Sequence, residues 1–304
     1  MDCPVADSHP VYEDLLQQVR SFFQPHSDKP EETAESVLSA LWLQAAGRPT
    51  AIGRINGSAL PAIDAPAVVT LQSLIERKRE GVPLAHLTGR QEFLGLELLA
   101  GPEALIPRKE TEILGRAAIT ALHNISSSVK ELLVIDVCTG SGNLALAYAH
   151  HEPRARVYAA DLSTEAVELA RRNAQFTGLA GRVEFQAGDL FAPFEGNPEL
   201  LGRCDLVSCN PPYITSGKVP KMAAEISAHE PRLAFDGGML GVGILQRLIR
   251  EAPRYLKPGG WLAFEVGLGQ GGAVLKRLQS GAAYSAHRSV TDAHGEIRAV
   301  LAQR

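Results

Sequence analysis

The sequence predicts an α/β protein in which a mostly parallel, doubly wound sheet follows a small helical domain. The first observation is that strand patterns and helical patterns alternate from about residue 108 to the C-terminus. Alternation of this kind is typical of a parallel sheet covered by helices on both faces. The second observation is that the chain before residue 88 carries helical patterns. We therefore expect two structurally different parts.

The N-terminal part predicts a small helical bundle. Apolar residues recur at helical spacing over Glu31–Ala46, and a second helix is expected over roughly Pro66–Arg79. Gly47-Arg48-Pro49 lies between them and is a stop signal for a helix. We interpret residues 1–88 as a domain of their own.

A short hairpin is expected next. Glu92–Leu99 carries apolar residues on both sides of Gly95, where the chain can turn. We interpret residues 89–105 as a connector between the helical domain and the sheet. The sheet domain then comprises residues 106–304.

The sheet domain supplies strands separated by helices. The helix that follows Asp161 is typical of these, because Ser163 can cap its first turn and Gly178 can end it. The strand candidates are Leu132–Val137, Arg156–Ala160, Arg182–Gln186, Cys204–Cys209, Trp261–Val266 and Ile297–Leu301.

Composition and charge are those of an ordinary globular protein. Of the 304 residues, 45% are hydrophobic and 21% are charged. The net charge of -4 gives no strong basic field, so non-specific binding to nucleic acid is not expected. Uninterrupted apolar stretches stay short of the length of a transmembrane helix, so no membrane span is expected.

The cysteines and the N-terminus predict a cytoplasmic protein. The cysteines form no C-x-x-C pair and have no spaced histidines beside them, so neither a disulfide framework nor a metal site is expected. Free thiols are typical of a reducing cytoplasm. The N-terminus lacks the basic and apolar regions of a signal peptide.

A glycine-containing turn after the first strand of the sheet predicts a ligand site. It comprises Cys138, Thr139, Gly140, Ser141 and Gly142, and it leads into a helix. Glycine lets the backbone approach a ligand because it has no side chain to clash. In an open parallel sheet, ligands bind beyond the carboxyl ends of the strands. We therefore expect this turn to hold a cofactor.

The next two strands end in residues suited to a nucleoside. Asp161 can accept hydrogen bonds from both ribose hydroxyls, and Leu162 follows it. After the third strand, Asp189 can meet an adenine amino group and Leu190 can pack on the ring. The dinucleotide fingerprint G-x-G-x-x-G and the P-loop phosphate motif are both absent. These strand ends favour an adenosine-containing cofactor that is not a dinucleotide.

The fourth strand ends in Asn210-Pro211-Pro212-Tyr213, which we predict to be the catalytic segment. Two prolines are rare inside a central strand, so they are expected just past its end, at the ligand edge. Proline restricts its own backbone and that of the preceding residue. The segment is therefore a stiff loop that presents carbonyl oxygens beside the Asn210 amide.

This loop suits methyl transfer to an amide or amine nitrogen. An amide nitrogen is a poor nucleophile because its lone pair is delocalised. The Asn210 side-chain oxygen and the Pro211 carbonyl can hold the NH2 group, orient it towards a methyl sulfonium and favour the charge that develops. Tyr213 can stack on a planar substrate. No strong general base is required when the proton leaves after methyl transfer.

Several segments resemble the glutamine amide methyltransferases that act on translation proteins, and most of all the peptide-chain release factor methyltransferases. The resemblance runs from about residue 72 to the C-terminus. It rests on Pro83–Gly89, Glu92–Leu96, Ile106–Glu112, Cys138–Gly142, Asn210–Ile214, His229–Ala234 and Asp292–Arg298. This combination is more specific than the catalytic segment alone, which DNA adenine methyltransferases also carry.

The resemblance implies a class I methyltransferase fold with a seven-stranded sheet, and an N-terminal domain that docks a protein substrate. It implies S-adenosyl-L-methionine as the cofactor, in contact with Thr139, Gly140, Ser141, Gly142, Asp161 and Asn210. The implied reaction is methylation of the side-chain amide of a glutamine in a class 1 release factor.

Some residues depart from the release-factor pattern. Cys138 replaces a usual glycine and, like His229-Glu230-Pro231, is typical of the branch that acts on a large-subunit ribosomal protein. Lys109 replaces a usual proline, and Leu240 replaces a usual acid. The alternatives are therefore the same chemistry on a ribosomal protein or on a small biosynthetic metabolite.

Two further alternatives concern the class of activity. DNA adenine methylation uses the same catalytic segment, but the acidic net charge and the lack of a separate basic recognition region argue against it. The other alternative is a binding protein that has the same fold but no catalytic activity. The intact catalytic segment argues against it. The main hypothesis remains an enzyme that methylates a glutamine amide.

The sequence also suggests roles for four polar residues outside the cofactor turn. Arg108 is expected to form a structural ion pair. Glu230 and Arg232 are expected either to line the substrate channel or to pack in the structure. Glu265 ends a central strand, and we expect backbone hydrogen bonds to hold its carboxylate.

Overall fold

The computed structural model describes residues 11–25, 29–55, 59–214, 229–235 and 243–304. Within these ranges the helices are α1 Tyr12–Phe22, α2 Ala34–Ala45, α3 Ala65–Arg79, α4 Leu84–Thr88, α5 Thr111–His123, α6 Asn143–His151, α7 Thr164–Phe176, α8 Gly243–Glu251 and α9 Gly271–Ser280. The strands are β1 Arg90–Phe93, β2 Leu96–Leu99, β3 Leu132–Val137, β4 Ala155–Asp161, β5 Val183–Ala187, β6 Cys204–Cys209, β7 Leu256–Glu265, β8 Ala286–Thr291 and β9 Ile297–Gln303.

Side-chain caps fix where the N-terminal helices begin. Thr33 and Ser36 form a capping box at α2, in which the Thr33 hydroxyl accepts from the Ser36 N–H at 3.1 Å and the Ser36 hydroxyl accepts from the Thr33 N–H at 2.8 Å. At α3 the Asp64 carboxylate accepts from the Ala67 N–H at 2.9 Å. Both helices lie where the apolar spacing predicted them.

The N-terminal helices share one hydrophobic core. Its buried members include Leu15, Val19, Val37, Leu38, Leu41, Trp42, Leu71, Ile75, Leu84 and Leu87. The Trp42 indole N–H donates to the Pro61 carbonyl at 2.8 Å, so the buried ring keeps a hydrogen-bond partner. This core is separate from those of the sheet, although the division of the chain at residues 88 and 105 remains a prediction.

The predicted hairpin is confirmed, and its turn explains its sequence. Leu94 and Gly95 have φ values of 47° and 80°, as a two-residue hairpin turn with a left-handed backbone requires. The hairpin side chains Phe93 and Leu98 are fully buried in the core on one face of the main sheet. The Ala51 N–H donates to the Glu97 carboxylate at 2.7 Å, so the hairpin also contacts the helical part.

The main sheet has seven strands in the order β5-β4-β3-β6-β7-β9-β8. β5, β4, β3, β6 and β7 run parallel, whereas β9 is antiparallel to both β7 and β8. A hydrophobic core lies on each face of the sheet. Helices α5, α6 and α7 cover one core, and helices α8 and α9 cover the other. The predicted doubly wound, seven-stranded class I methyltransferase sheet is confirmed.

The carboxyl ends of the parallel strands converge at one edge. Val137 at the end of β3 pairs with Ala160 of β4 and with Cys209 at the end of β6. On the far side of β4, Asp161 pairs with Ala187 at the end of β5. The loops that follow these strands therefore lie side by side. None of the helices in the described ranges combines the length and the apolar character needed to span a bilayer.

Asn173 on α7 ties the hairpin to the cofactor turn. Its side-chain oxygen accepts from the Leu99 N–H at 2.6 Å, and its NH2 group donates to the Leu99 carbonyl at 3.2 Å and to the Ser141 carbonyl at 3.0 Å. The side chain is completely buried. One amide therefore satisfies three backbone groups from two separate loops, which fixes the turn relative to the hairpin.

We expect Asn173→Leu to lower the free energy of unfolding by about 3 kcal/mol, because it removes the partner of three buried backbone groups. Urea unfolding measures the change. Gln175→Leu, an exposed position on the same helix, is the matched control and should stay near wild-type stability. Equal stability of the two variants would contradict the proposed clamp.

Candidate functional site

The turn after β3 has the backbone that its glycines suggested. Cys138, Gly140 and Gly142 adopt φ values of 57°, 55° and 81°, all in the left-handed region. A side chain at Gly140 would meet no atom within 4 Å, so the turn leaves open space on that side. Cys138 adopts a conformation that glycine reaches more easily, so its side chain adds backbone strain at this position.

Asp161 closes the turn from the neighbouring strand. Its carboxylate accepts from the Gly140 N–H at 2.8 Å and from the Ser163 N–H at 3.0 Å. Burial raises the pKa of Asp161, and the backbone hydrogen bonds oppose that rise. The arrangement holds a carboxylate at the edge of the sheet with further lone pairs available for a ligand.

A pocket, here called the cofactor pocket, opens above this edge. All of the cofactor residues predicted from the sequence except Gly142 line it, namely Cys138, Thr139, Gly140, Ser141, Asp161, Leu162, Asp189, Leu190 and Asn210. The sequence pattern did not indicate that the segment from Glu103 to Thr111 also contributes to the wall. Side chains from strand ends far apart in sequence therefore surround one space.

Gly142 lies at the N-cap of α6, outside the lining of the pocket. A Cβ atom there would come within 3.1 Å of the Ala170 side chain and of the Phe185 ring. Real Cβ contacts are rarely this tight, and the positive φ adds strain for any other residue. Gly142 therefore allows α6 to pack closely against α7 and β5.

Asp189 lies beside a cation that the sequence pattern did not reveal. Its carboxylate accepts from Arg247 of α8 at 2.9 and 3.1 Å, and both side chains are partly exposed. Leu190 has a φ of 49° and is buried next to it. Both residues still line the cofactor pocket, as does Leu162, which is 57% exposed.

The catalytic segment begins at the end of β6, as predicted, and borders two spaces. Asn210 and Pro212 line the cofactor pocket. A second space, here called the acceptor pocket, is lined by Asn210, Pro211, Pro212, Tyr213 and Ile214 together with Leu105, Arg108, Glu110, Thr111, Ala234, Phe235, Glu265, Leu268 and Arg298. The two pockets meet along a shared wall, which comprises Leu105, Arg108, Thr111, Asn210, Pro212 and Ala234. A cofactor in one and an acceptor in the other would be brought together along this wall.

The expectation that backbone hydrogen bonds hold Glu265 was wrong. Its carboxylate accepts from the Thr111 hydroxyl at 2.7 Å and from the Tyr213 hydroxyl at 3.1 Å. Thr111 in turn accepts from the Asn210 side-chain NH2 at 3.1 Å. Thr111 lies in a segment that carries the family resemblance, but its spacing gave no sign of this contact.

Arg108 forms a structural ion pair, as expected from the sequence. Its guanidinium donates to the Glu230 carboxylate at 2.5 Å, and Glu230 also accepts from the Ile106 N–H at 3.0 Å. Glu230 is 6% exposed, so it packs in the structure and fixes the segment before α5. Arg232 is exposed. Leu240, another departure from the release-factor pattern, lies outside the described residues.

A buried carboxyl group supports the turn from below. Asp136 pairs in register with Ser208 of β6, whose hydroxyl donates to it at 2.5 Å, and the Thr139 hydroxyl donates at 2.6 Å. Complete burial raises the pKa of Asp136 to about 7, against the opposing effect of the two hydroxyl donors. Asp136 therefore joins β3, β6 and the cofactor turn.

Comparison with known protein families and sequences agrees with this geometry. A family described as "Methyltransferase domain" matches residues 128–282. The chain is 38% identical over 290 residues to the release factor glutamine methyltransferase of Moorella thermoacetica, covering 95% of this chain and 97% of the relative. It is 40% identical over 201 residues to the enzyme of that name from Streptomyces coelicolor, covering 66% and 68%.

Solved structures share the fold at low sequence identity. The human methyltransferase 10 domain containing protein has a TM-score of 0.51 and 18% identity, covering 69% of this chain and 88% of that one. The N-terminal domain of human METTL16 in complex with SAH has a TM-score of 0.52 and 14% identity, covering 92% and 98%. At these identities the likeness concerns the fold.

The raised pKa of Asp136 predicts a specific pH dependence of stability. The folded state keeps a proton that the unfolded state releases between about pH 4 and 7, so the free energy of unfolding falls as the pH rises across that range. Asp136→Asn lacks this titration. Its stability relative to wild type should therefore rise from about pH 4 to 7 and level off above that range.

Urea unfolding of both proteins at a series of pH values checks this expectation. The comparison uses the difference between variant and wild type, because other buried carboxyl groups titrate equally in both. Stability curves that run parallel over the whole range would show that Asp136 does not titrate in it.

Proposed function

Because the chain belongs to the family of release factor glutamine methyltransferases, we propose that it methylates the side-chain amide nitrogen of a glutamine in a class 1 peptide-chain release factor. The observation that carries the proposal is the meeting of two pockets at Asn210. One pocket suits the methyl donor, and the other suits a planar acceptor.

The residues of the cofactor pocket fit S-adenosylmethionine. The Ser141 hydroxyl is buried and has no partner within the described part of the chain, so a ligand in the pocket can supply one. The Asp161 carboxylate suits ribose hydroxyls, and the open side of Gly140 allows close approach to the turn. When bound, S-adenosylmethionine supplies an electrophilic methyl group on a sulfonium.

We infer separate roles for the residues around the base of the nucleoside. Leu162 and Leu190 line the pocket with apolar surface that suits the faces of an adenine ring. The Asp189 carboxylate can accept from the adenine amino group while Arg247 keeps it oriented. Cys138 and Thr139 complete the wall, and Gly142 contributes through packing rather than contact.

The catalytic segment positions the acceptor amide. The Asn210 side-chain oxygen and the Pro211 carbonyl accept the two hydrogens of the glutamine NH2 group, which fixes the nitrogen in front of the cofactor pocket. The same oxygens favour the positive charge that develops on the nitrogen during transfer. Pro212 stiffens the loop. The Tyr213 ring offers a flat surface to the amide, since its hydroxyl is already held by Glu265.

The proton of the methylated amide is released after transfer. Methylation converts the amide nitrogen into a strongly acidic cation, which loses its proton to water without a dedicated base. Two carboxyl groups line the acceptor pocket, those of Glu110 and Glu265, and that of Glu265 is engaged by two hydroxyls. The proposed mechanism requires orientation and electrostatic stabilisation from the chain and needs no proton abstraction.

We infer that the N-terminal helical domain, residues 1–88, docks the release factor, and that the hairpin connector, residues 89–105, sets its position relative to residues 106–304. The hairpin supports this role because it contacts the helical part through Glu97 and is buried against the sheet through Phe93. Release factors act on ribosomes, so the proposed substrate also places the reaction in the cytoplasm.

The substrate assignment predicts methyl transfer to a purified release factor. Incubation with labelled S-adenosylmethionine should label the release factor, and mass spectrometry should locate one methyl group on a glutamine. The control is the same release factor with that glutamine replaced by alanine, which should stay unlabelled. Cofactor binding without labelling of the release factor, or labelling of a ribosomal protein instead, would reject the proposed substrate.

The assignment of Asn210 predicts a loss of turnover with retained cofactor binding. Asn210→Ala should lower kcat by about 100- to 1000-fold, because it removes one of the two oxygens that orient the amide. Calorimetry should show that the Kd for S-adenosylmethionine changes much less. Asn124→Ala, at an exposed asparagine, is the control. Unchanged kcat in Asn210→Ala would remove Asn210 from the mechanism.

A further inference from the structure

Three side chains from distant parts of the chain form a line of hydrogen bonds behind the acceptor pocket. The Asn210 NH2 group donates to the Thr111 hydroxyl oxygen at 3.1 Å, and the Thr111 hydroxyl donates to the Glu265 carboxylate at 2.7 Å. Thr111 and Glu265 are 1% and 2% exposed. Solvent therefore does not compete with these hydrogen bonds.

The direction of these hydrogen bonds is set by Glu265. Its two oxygens accept from the Thr111 and Tyr213 hydroxyls, so the single hydrogen of the Thr111 hydroxyl points towards Glu265. The Thr111 oxygen then has only lone pairs to offer Asn210. The Asn210 side chain must face it with its NH2 group, which leaves the amide oxygen for the acceptor pocket. The opposite orientation of this amide would leave two acceptors facing each other.

A second contact keeps Glu265 in place. Its other oxygen accepts from the Tyr213 hydroxyl at 3.1 Å, and the Arg298 guanidinium lies 4.0 Å away. Burial raises the pKa of Glu265, whereas the two hydroxyl donors and the charge of Arg298 favour the carboxylate. Glu265 thus orients the two side chains that flank the substrate amide, Asn210 through Thr111 and Tyr213 directly.

We propose that Thr111 and Glu265 are positioning residues that fix the orientation of the Asn210 amide and thereby make the site select a glutamine amide over a glutamate carboxylate. The inference rests on the proposed function, since it assigns the freed Asn210 oxygen to the substrate NH2 group. A glutamine offers two hydrogens to this oxygen and to the Pro211 carbonyl. A glutamate offers a charged oxygen, which both acceptors repel.

Loss of the Thr111 hydroxyl removes the constraint on Asn210. Without the Thr111 oxygen, nothing requires the NH2 group of Asn210 to face α5. The amide can then rotate by half a turn and present its NH2 group to the acceptor pocket. In that orientation it donates to a carboxylate and no longer accepts from a glutamine. Selectivity between the two side chains should therefore change, which a general loss of stability would not cause.

The experiment compares wild type, Thr111→Val and Thr111→Ser. Valine has nearly the same shape without the hydroxyl, and serine retains the hydroxyl. For each protein, one measures kcat on the release factor and the Kd ratio for two release factors that carry glutamine or glutamate at the methylated position. Thermal unfolding and the Kd for S-adenosylmethionine report whether the fold and the cofactor pocket are intact. Thr111→Ala replaces Thr111→Val should the latter fail to fold.

Wild type should bind the glutamine form at least about tenfold more tightly than the glutamate form, because a site built to accept hydrogen bonds rejects a group that cannot donate them. Thr111→Val should reduce this ratio to about threefold or less and lower kcat by about tenfold or more. Thr111→Ser should behave as wild type.

If wild type methylates the release factor and Thr111→Val keeps the wild-type selectivity, the positioning role is overturned. The proposed function is then unaffected. Failure of wild type to transfer label to the release factor refutes the proposed function and, with it, the assignment of the Asn210 oxygen to a glutamine. A selectivity that falls in Thr111→Val and returns in Thr111→Ser supports both.

Discussion

The parallel register of β3 with its two neighbours is the constraint on which the whole site depends. Val137 pairs with Ala160 on one side and Cys209 on the other, so the loops that follow all three strands leave the sheet at one edge. The register also places Asp136 beside Ser208. A slip of one residue would turn the alternate side chains to the opposite faces and separate these partners. Cofactor and acceptor residues meet because this backbone pairing brings the ends of the strands together.

Buried polar groups connect this pairing to the chemistry. Asp136 and Glu265 are both carboxyl groups in the interior, where an unpaired charge or an unpaired hydrogen-bonding atom is strongly unfavourable. Each accepts from two hydroxyls. Of these four donors, Thr139 lines the cofactor pocket, and Thr111 and Tyr213 line the acceptor pocket. These hydrogen bonds offset the unfavourable burial of the two carboxyl groups. They also fix the orientation of the side chains around the ligands.

The sequence predicted what local patterns determine. Short, mainly apolar runs located β3 and β6 with their observed bounds, and the chain order of strands and helices predicted the sheet. The sequence did not predict which residues distant along the chain form hydrogen bonds or ion pairs with each other. Glu265 and Thr111 are 154 residues apart, so the hydrogen bond between them follows from packing rather than from spacing. The ion pair of Asp189 with Arg247 is of the same kind. Gly142 was predicted to contact the cofactor, and the sequence alone did not show that the close packing of α6 against Ala170 and Phe185 also requires a glycine there.

The hydrogen bonds of the Glu265 carboxyl group explain how the site can favour a developing cation without acting as a base. A carboxylate in direct contact with the substrate would attract the proton of the amide and would also hold cations in place of it. Glu265 lines the acceptor pocket, but its two oxygens accept from the hydroxyls of Thr111 and Tyr213. Its field acts on the acceptor through these oriented dipoles, while the atoms proposed to accept from the substrate amide are the neutral oxygens of Asn210 and Pro211. In a region shielded from water, such fixed dipoles act strongly and need no reorganisation during the reaction.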